Sequence, residues 1–461
     1  MFPYLAIFFI LILLYSVRRF KVLINPLTIF ILGFAIAGVM CLYYYDEWGL
    51  VRFRSDTFYY FLIGTLLYTI TCVVMRPKEK KYICRQNIEN VNIDRLYSRH
   101  LFVLMIIFIF IQVFICYYKY KTLTSMYGGN LVFAELTHQF REDTLDGETV
   151  DYLPKWFSRI TGIVENVKPF IYLISGVFVA KGELKGKWAI LFLFYIALTF
   201  VESAIGGVKG NAIQAIITFI IAWFIKYIRI KHKLCIPKTA LALIGGAGVA
   251  ILLGINLMNY WIGRGNENNT MDVAMYSGAV YCGAELKNMD IYMNAPTHSD
   301  KWGESTFGKF YKSLGNKGII NYKAPKTYDG FGYGFLSYGG YNLGNVYTIF
   351  CNLYSDFAWF GLILLPLMAA INMFVFKRVF TSKKSVAQVS IWEYFYITMA
   401  WHTFMSFFAN RFYGAYSDPF SLLKSIILFY VFDYILQKLV YLKASKRDRR
   451  TINVAPEVSL A

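Results

Sequence analysis

Long apolar stretches recur along the whole chain and limit the folds that it can adopt. Residues Leu5 to Ser16 form one uncharged run, and 57% of the 461 residues are apolar whereas only 16% are charged. A helix needs about 20 mostly apolar residues to cross a bilayer whose hydrocarbon region is roughly 30 Å thick. The sequence therefore predicts an all-α polytopic membrane protein, and it lacks the period-two alternation that is typical of a membrane β-barrel.

Cutting the chain into stretches of that length predicts about eleven transmembrane helices within a single membrane domain, 1–461. Short polar or basic segments separate most of them. The predicted spans are 2–16, 22–45, 57–75, 100–118, 169–180, 187–201, 212–228, 239–258, 345–376, 391–409 and 420–440.

The basic residues are distributed unevenly between the two sets of connecting segments. More than half of the 47 Lys and Arg lie in alternate short segments and in the tail 441–461. Because cytoplasmic loops are enriched in Lys and Arg, this pattern predicts an extracytoplasmic amino terminus and a cytoplasmic carboxyl terminus. The net charge of +19 is then a consequence of membrane orientation, not a nucleic-acid footprint. Two long extracytoplasmic loops follow, 119–168 and 259–344.

Two polar groups are predicted near the extracytoplasmic ends of the spans, where charge is costly and indicates function. Glu202 and Lys209 flank a glycine-rich turn before the span at 212–228, whose first amides would face an anion. Arg264 lies between two glycines behind Trp261, which suits a phosphate at the headgroup level. The alternatives are a tight turn with a snorkelling lysine and an interfacial anchor.

Two further groups lie in the last third of the chain. Asn345, Asn352 and Asp356 are expected on one face of the ninth span, where Asp356 is either a base or a structural partner of a cation. His402, inside the tenth span, is either a base or a satisfied core histidine.

The turn 410–419 joins the last two spans and adds Arg411 and Tyr413, with Lys424 one turn further on. Arg411 and Lys424 are expected at the same depth as Lys209 and Arg264. Together these four cations predict a pocket that can hold a lipid pyrophosphate.

Several familiar catalytic motifs are missing from the sequence. It has no Walker-type glycine loop, no zinc-type Cys/His spacing and no nucleophile elbow. No cofactor is expected, and the chemistry is predicted to be independent of metal.

The stretch Asn345–Gly361 resembles a motif of the bacterial oligosaccharide repeat-unit polymerases, the Wzy-type O-antigen and capsule polymerases. Its residues are NVYTIFCNLYSDFAWFG, similar to the family's Asn-Val-Tyr, apolar interval, Asp-Phe-Gly and further Gly, with Ala358 in place of a usual Gly. Gly206–Gly210 resembles the family's small-residue turn, with Lys209 in place of Arg. Because Lys lacks the bidentate fork of Arg, this substitution weakens the expected phosphate contact.

The resemblance implies a fold like that of the class C glycosyltransferases in a bacterial inner membrane. It also implies transfer of a growing glycan from undecaprenyl pyrophosphate to the non-reducing end of another lipid-linked repeat unit. A chain-length regulator and a flippase are the expected protein partners. Pyrophosphate and substrate contacts are expected from the set Lys209, Arg264, Arg411, Arg141, Asn345 and Tyr413. The candidate bases are Glu202, Asp356 and His402.

Other classes of protein fit parts of the pattern. An O-antigen ligase would share the donor and the chemistry and differ in its acceptor. A lipid-linked oligosaccharide flippase or another transporter would need a polar path through the bilayer and repeated halves, which the sequence does not display. A non-enzymatic envelope protein would leave the intramembrane Asp356, His402 and Lys424 unexplained.

Overall fold

The computed structural model describes residues 1–76, 99–128, 131–146, 153–182, 186–207, 210–231, 236, 271–299, 301–322 and 334–438. The protein is mostly helical, as expected. In the described part of the chain, nine helices are long and apolar enough to cross a membrane. The prediction of an all-α polytopic membrane protein is confirmed at this level.

The helices of the first half are mostly those expected from the apolar stretches. They are α1 (Phe2–Phe20), α2 (Pro26–Tyr43), α3 (Ser55–Val74), α4 (Arg99–Tyr127), α5 (Phe133–Asp146), α6 (Lys155–Lys181), α7 (Gly186–Ile205) and α8 (Gly210–Lys231). A 3₁₀ turn, Leu50–Arg52, precedes α3.

The second half begins with short elements before the last membrane helices. They are α9 (Met271–Cys282), α10 (Ala284–Tyr292), α11 (Gly308–Asn316), β1 (Leu336–Tyr338), β2 (Tyr341–Gly344), α12 (Ile349–Phe357), α13 (Leu364–Thr381), α14 (Ile391–Phe404), α15 (Arg411–Tyr416) and α16 (Pro419–Leu436). The two strands form an antiparallel hairpin, and a 3₁₀ segment, Ala358–Ile363, joins α12 to α13.

Two predicted spans are not among these nine. The span predicted at 239–258 lies outside the described residues. The span predicted at 391–409 is the 14-residue helix α14 followed by a 3₁₀ turn at Met405–Phe407. A 14-residue helix is roughly 21 Å long, short of the hydrocarbon thickness.

The segment predicted as the first long loop, 119–168, is largely helical. Helix α4 continues to Tyr127, α5 occupies Phe133–Asp146, and α6 begins at Lys155 instead of at 169. The span was predicted to begin at Pro169, but Pro169 lies inside α6. The apolar pattern therefore underestimates how far the two helices extend.

The first half and the end of the chain share one core. Phe34, Phe61 and Phe350 pack with ring centroids 4.8–6.3 Å apart, which joins α2 and α3 to α12. Aromatic packing of this kind contributes beyond the area that it buries. It fixes the start of α12 against the first membrane helices.

A buried ionic cluster joins α8 to the start of α14. The Lys226 ammonium lies 3.0 Å from both oxygens of Glu393, and Arg229 donates to Glu393 at 2.6 Å. Glu393 also completes a capping box with Ser390 at the first turn of α14. Because Lys226 and Glu393 are fully buried, their charges need this mutual compensation.

Candidate functional site

Three cations, Lys309, Lys312 and Arg411, lie together at the end of the bundle where α14 ends and α16 begins; we call them the cationic cluster. Lys309 and Lys312 are one turn apart on α11, and Arg411 is the first residue of α15. The charges of Lys309 and Arg411 also act on the imidazole of His402, near the end of α14. Like charges that act on one another repel unless an anion joins them.

Two hydrogen bonds fix the segment that carries Lys309 against the last helices. The Ser313 hydroxyl donates to the Asp418 carboxylate at 2.8 Å, and the Asn410 amide donates to the Thr306 carbonyl at 2.9 Å. Asp418 is also the N-cap of α16, where it accepts from the Phe420 backbone N–H. The fold therefore holds α11, α15 and the start of α16 in one arrangement.

The surroundings of Lys309 disfavour its charged form. Part of its side chain remains exposed. Partial burial, followed by the positive charge of Arg411, lowers the pKa of the ammonium, and Asp418 opposes this shift. Burial alone would raise the pKa of Asp418, but hydrogen bonds from Ser421 and Ser313 outweigh it and lower that pKa. Asp418 is thus a carboxylate whose oxygens already accept hydrogen bonds.

Three buried polar atoms around this cluster have no hydrogen-bond partner among the described residues. They are Nδ1 of His402, Oδ1 of Asn410 and Oγ of Ser417. Buried polar groups are normally hydrogen-bonded, so unsatisfied ones require an explanation. A polar ligand or ordered water at the cationic cluster would supply the missing partners.

Among the described residues, Asp356 pairs with no cation, and it has another structural role. Its two oxygens accept the backbone N–H groups of Ser305, at 3.1 Å, and Thr306, at 2.6 Å. Asn352, one turn earlier on α12, donates to the Ser305 hydroxyl at 2.6 Å. The prediction that 352 and 356 share one helix face is confirmed, and this face holds the segment leading to Lys309.

Two predicted substrate contacts lie elsewhere. Asn345 precedes α12 and follows β2, so the expectation that it shares a helix face with Asp356 is wrong. The reason is that the chain forms a hairpin up to Gly344 before the helix begins. Tyr413 is buried, and its hydroxyl donates to the Leu364 carbonyl while its ring packs against Phe307. These contacts make Tyr413 a packing residue.

Glu202 lies in a separate ionic cluster between α4, α6 and α7. Its carboxylate lies 2.6 Å from the Lys119 ammonium and 3.4 Å from that of Lys168, and it accepts from Gln112 at 2.6 Å. A carboxylate shared between two lysines is held in its ionised form by its partners. The arrangement ties three helices together, and Glu202 lies in the last turn of α7, just before the glycine-rich turn.

Three predicted cations cannot be placed. Lys209 and Arg264 lie outside the described residues. Position 141 is part of α5, but the Arg141 side chain is outside the described part of the structure. The predicted cluster of four cations is therefore represented by Arg411 and by Lys424, which is exposed on α16.

Lys309 and Lys312 were not among the residues predicted from the sequence. They belong to the long segment 259–344, which has no membrane-spanning pattern. Their three-residue spacing, with Phe310 and Leu314 between and after them, is that of an amphipathic helix with a basic face. That spacing is the signal from which they could have been found.

In the described ranges, no group of three or more His, Cys, Asp or Glu side chains is arranged to hold a metal ion. Comparison of the chain with protein-family models, with curated proteins and with solved structures finds no match. The interpretation of the site therefore rests on its own geometry.

Proposed function

We propose that this protein polymerises oligosaccharide repeat units carried on polyprenyl pyrophosphate during surface-polysaccharide biosynthesis. The observation that carries the proposal is that Lys309 and Arg411 converge on His402, with Lys312 next to Lys309 on α11, at the ends of membrane helices. A lipid diphosphate is an anion that a cationic site at the ends of membrane helices is suited to bind. The resemblance of Asn345–Gly361 to the Wzy-type polymerases points to the same donor.

The reaction breaks the bond between the anomeric carbon of the donor glycan and the pyrophosphate oxygen. The acceptor sugar's hydroxyl oxygen forms the new bond to that carbon, and the electron pair of the broken bond stays on the polyprenyl pyrophosphate. Negative charge therefore increases on the leaving group as the bond breaks. Cations that are already in place stabilise this charge more in the transition state than in the ground state.

His402 is the proposed acceptor of the proton that the attacking hydroxyl loses. Its Nδ1 is buried without a partner among the described residues, and the charges of Lys309 and Arg411 act on its ring. The neutral imidazole is the form that can accept a proton. Once the diphosphate has bound and compensated these cations, protonation of His402 becomes less costly.

Asp356 acts as a positioning residue in this proposal. Its carboxylate binds the backbone at 305–306, three residues before Lys309. The Asp in the motif that resembles the polymerases would therefore set the position of α11 instead of touching the substrate. Glu202 is too fully engaged by Lys119, Lys168 and Gln112 to serve as the base.

The proposed location is the bacterial inner membrane, with about eleven spans, a class C glycosyltransferase-like architecture and an extracytoplasmic amino terminus. Under this orientation the cationic cluster lies on the extracytoplasmic face, since α14 ends and α16 begins there. The uneven distribution of Lys and Arg along the chain supports this assignment. Neither a cofactor nor a metal has a role in the proposed reaction, and a flippase would deliver the substrate.

Deletion of the gene, with complementation by variants and gel analysis of surface glycan, tests this function. We expect Arg411→Ala and Lys309→Ala to lose long chains and keep single repeat units on the surface. The matched control is Arg378→Ala, an exposed arginine on α13 that packs over Phe374 and Trp392. It should give glycan of normal length.

Three results would contradict the proposal, the first for the cationic cluster and the other two for polymerisation. If Arg411→Ala and Lys309→Ala both give unchanged glycan, the cationic cluster has no role in the function. Lipid-linked polymer that accumulates without reaching lipid A core indicates a ligase. Lipid-linked single units confined to the cytoplasmic leaflet indicate a flippase.

A further inference from the structure

An apolar groove runs along α6 between α4, α7 and α16. Its cavity has a volume of about 340 Å³, and its lining is almost entirely aliphatic and aromatic. Helix α6 contributes a stripe spaced by three or four residues, including Ile160, Ile163, Val167, Ile174 and Phe178. Such a stripe faces one side of the helix over five turns.

The length of this groove identifies the kind of chain that fits it. Ile160 and Phe178 are 18 residues apart on a helix, which is roughly 27 Å at about 1.5 Å per residue. This nearly equals the whole hydrocarbon thickness of a bilayer, roughly 30 Å. An acyl chain of a phospholipid reaches only through its own leaflet. A longer chain is needed to fill the groove from end to end.

Two cations lie at the Ile160 end of the groove. Arg159 precedes Ile160 and is exposed, and the Lys424 ammonium of α16 lies beside Gly162 of α6. A Cβ at position 162 would be 3.0 Å from that ammonium, so the glycine leaves room for it. An anionic headgroup at this end would lie next to these two positive charges, and its chain would enter the groove.

Helix α16 connects this end of the groove to the cationic cluster. Asp418 at its N-cap contacts Ser313 of α11, and Lys424 lies six residues, roughly 9 Å, further along the helix. Phe432 and Leu436 of the same helix then line the groove. Helix α16 thus carries both a cation for the headgroup and residues that line the apolar groove.

We propose that the groove along α6 holds the polyisoprenyl chain of the lipid-linked donor, with its diphosphate between Lys424, Arg159 and the cationic cluster; this rests on the function proposed above. Lipid tails are as apolar as the groove, so burial alone gives little selectivity. Selectivity comes from the match in length and from the charges at one end.

Photolabelling of the purified full-length protein in nanodiscs tests the groove. The probes are farnesyl diphosphate and heptaprenyl diphosphate analogues with a diazirine at the far end of the chain, and a diazirine-tagged phosphatidylglycerol. We expect the short probe to label α6 near Phe170 and the long probe to label near Phe178 and Trp188. Unlabelled undecaprenyl diphosphate should compete with both, and phosphatidylglycerol should not label these positions selectively.

Ile163→Trp fills the groove, whereas Ile70→Trp adds the same bulk on an exposed face of α3, where Ile70 is 56% exposed. We expect Ile163→Trp to reduce labelling by the long probe roughly tenfold, the effect of about 1.4 kcal/mol of lost binding free energy. Ile70→Trp should label like the unmodified protein. Lys424→Ala, which leaves the apolar lining intact, should weaken competition by the diphosphate.

The outcomes distinguish a failure of the groove proposal from a failure of the proposed function. Labelling by both probes at the same positions, or labelling unchanged by Ile163→Trp, contradicts the groove. If Ile163→Trp loses labelling but cells keep normal long-chain glycan, the groove is not the donor's binding site, and polymerisation stands. If undecaprenyl diphosphate competes with labelling in the groove but deletion of the gene leaves surface glycan unchanged, polymerisation is contradicted and the groove proposal stands.

Discussion

The Thr306 backbone N–H donates to the Asp356 carboxylate at 2.6 Å and joins α12 to the segment that carries Lys309. Asn352 and Asn410 hold the same segment from two other directions. Position 306 is thus bound by α12 and by the turn before α15. The geometry of the cationic cluster depends on these contacts because α11 itself buries no residue.

Replacing Asp356 should loosen α11 locally. In Asp356→Ala the Thr306 N–H loses its charged acceptor, which costs about 1–3 kcal/mol of local stability. We expect faster hydrogen exchange in residues 301–316, measured by mass spectrometry, and loss of long-chain glycan. Asp56→Ala removes a carboxylate that is 59% exposed and is the control. Exchange that accelerates equally throughout the protein would contradict a positioning role.

The Ala358 position predicts a stabilising substitution. Ala358 has a φ of 47°, in the region that favours glycine, and a ψ of −132°. Ala358→Gly should relieve strain and raise the free energy of unfolding by about 1 kcal/mol, measured by thermal unfolding in detergent. A lower midpoint would contradict this interpretation.

The Gly361 position predicts a destabilising substitution. A Cβ at this position would lie 2.4 Å from the Leu353 carbonyl oxygen, which belongs to the backbone and cannot give way cheaply. Gly361→Ala should therefore separate α12 from the 3₁₀ segment and lower the thermal midpoint. An unchanged midpoint would mean that this junction adapts easily.

Lys309 predicts a pH dependence of stability. Its pKa in the folded protein is lowered by partial burial and by Arg411, whereas in the unfolded chain it is about 10.4. Between these two values the unfolded state binds more protons, so stability should rise as the pH increases. Lys309→Met should lose this rise and should not be less stable at neutral pH, although it loses function. Identical pH profiles for the two proteins would contradict the electrostatic account.

The buried ionic cluster of Lys226, Arg229 and Glu393 predicts an asymmetry between two variants. Glu393→Gln leaves two buried cations without their carboxylate, which should cost roughly 3–5 kcal/mol. Lys226→Met leaves the pair between Arg229 and Glu393, joined at 2.6 Å, and should cost less. Thermal unfolding of both variants checks the order. Equal losses would show that the residual pair contributes nothing.

The membrane helices could be predicted because their signal is local. Runs of apolar residues with the right length mark α1, α2 and α3 almost independently of their neighbours. The start of α6 could not be predicted in this way, since Glu165 and Lys168 read as loop residues. Lys168 is compatible with a buried helix because it pairs with Glu165 one turn earlier and with Glu202, 3.4 Å away on α7.

The candidate site was predictable only in part, for a similar reason. The turn 410–419 and His402 stand out because polar residues interrupt membrane spans. Lys309 becomes part of the site through contacts that cross about 100 residues of sequence, from Ser313 to Asp418. The role of Asp356 was also hidden, because its partners are backbone N–H groups, which no sequence pattern distinguishes.

Direct binding of a diphosphate lipid tests the central claim of this account. Titration of the purified protein in nanodiscs with farnesyl diphosphate, and with farnesol as the uncharged control, should give binding of the diphosphate alone. Arg411→Ala should weaken it at least about tenfold, a loss of about 1.4 kcal/mol, whereas Arg378→Ala should bind like the unmodified protein. Equal affinity for farnesol and its diphosphate, or unchanged affinity in Arg411→Ala, would contradict the account.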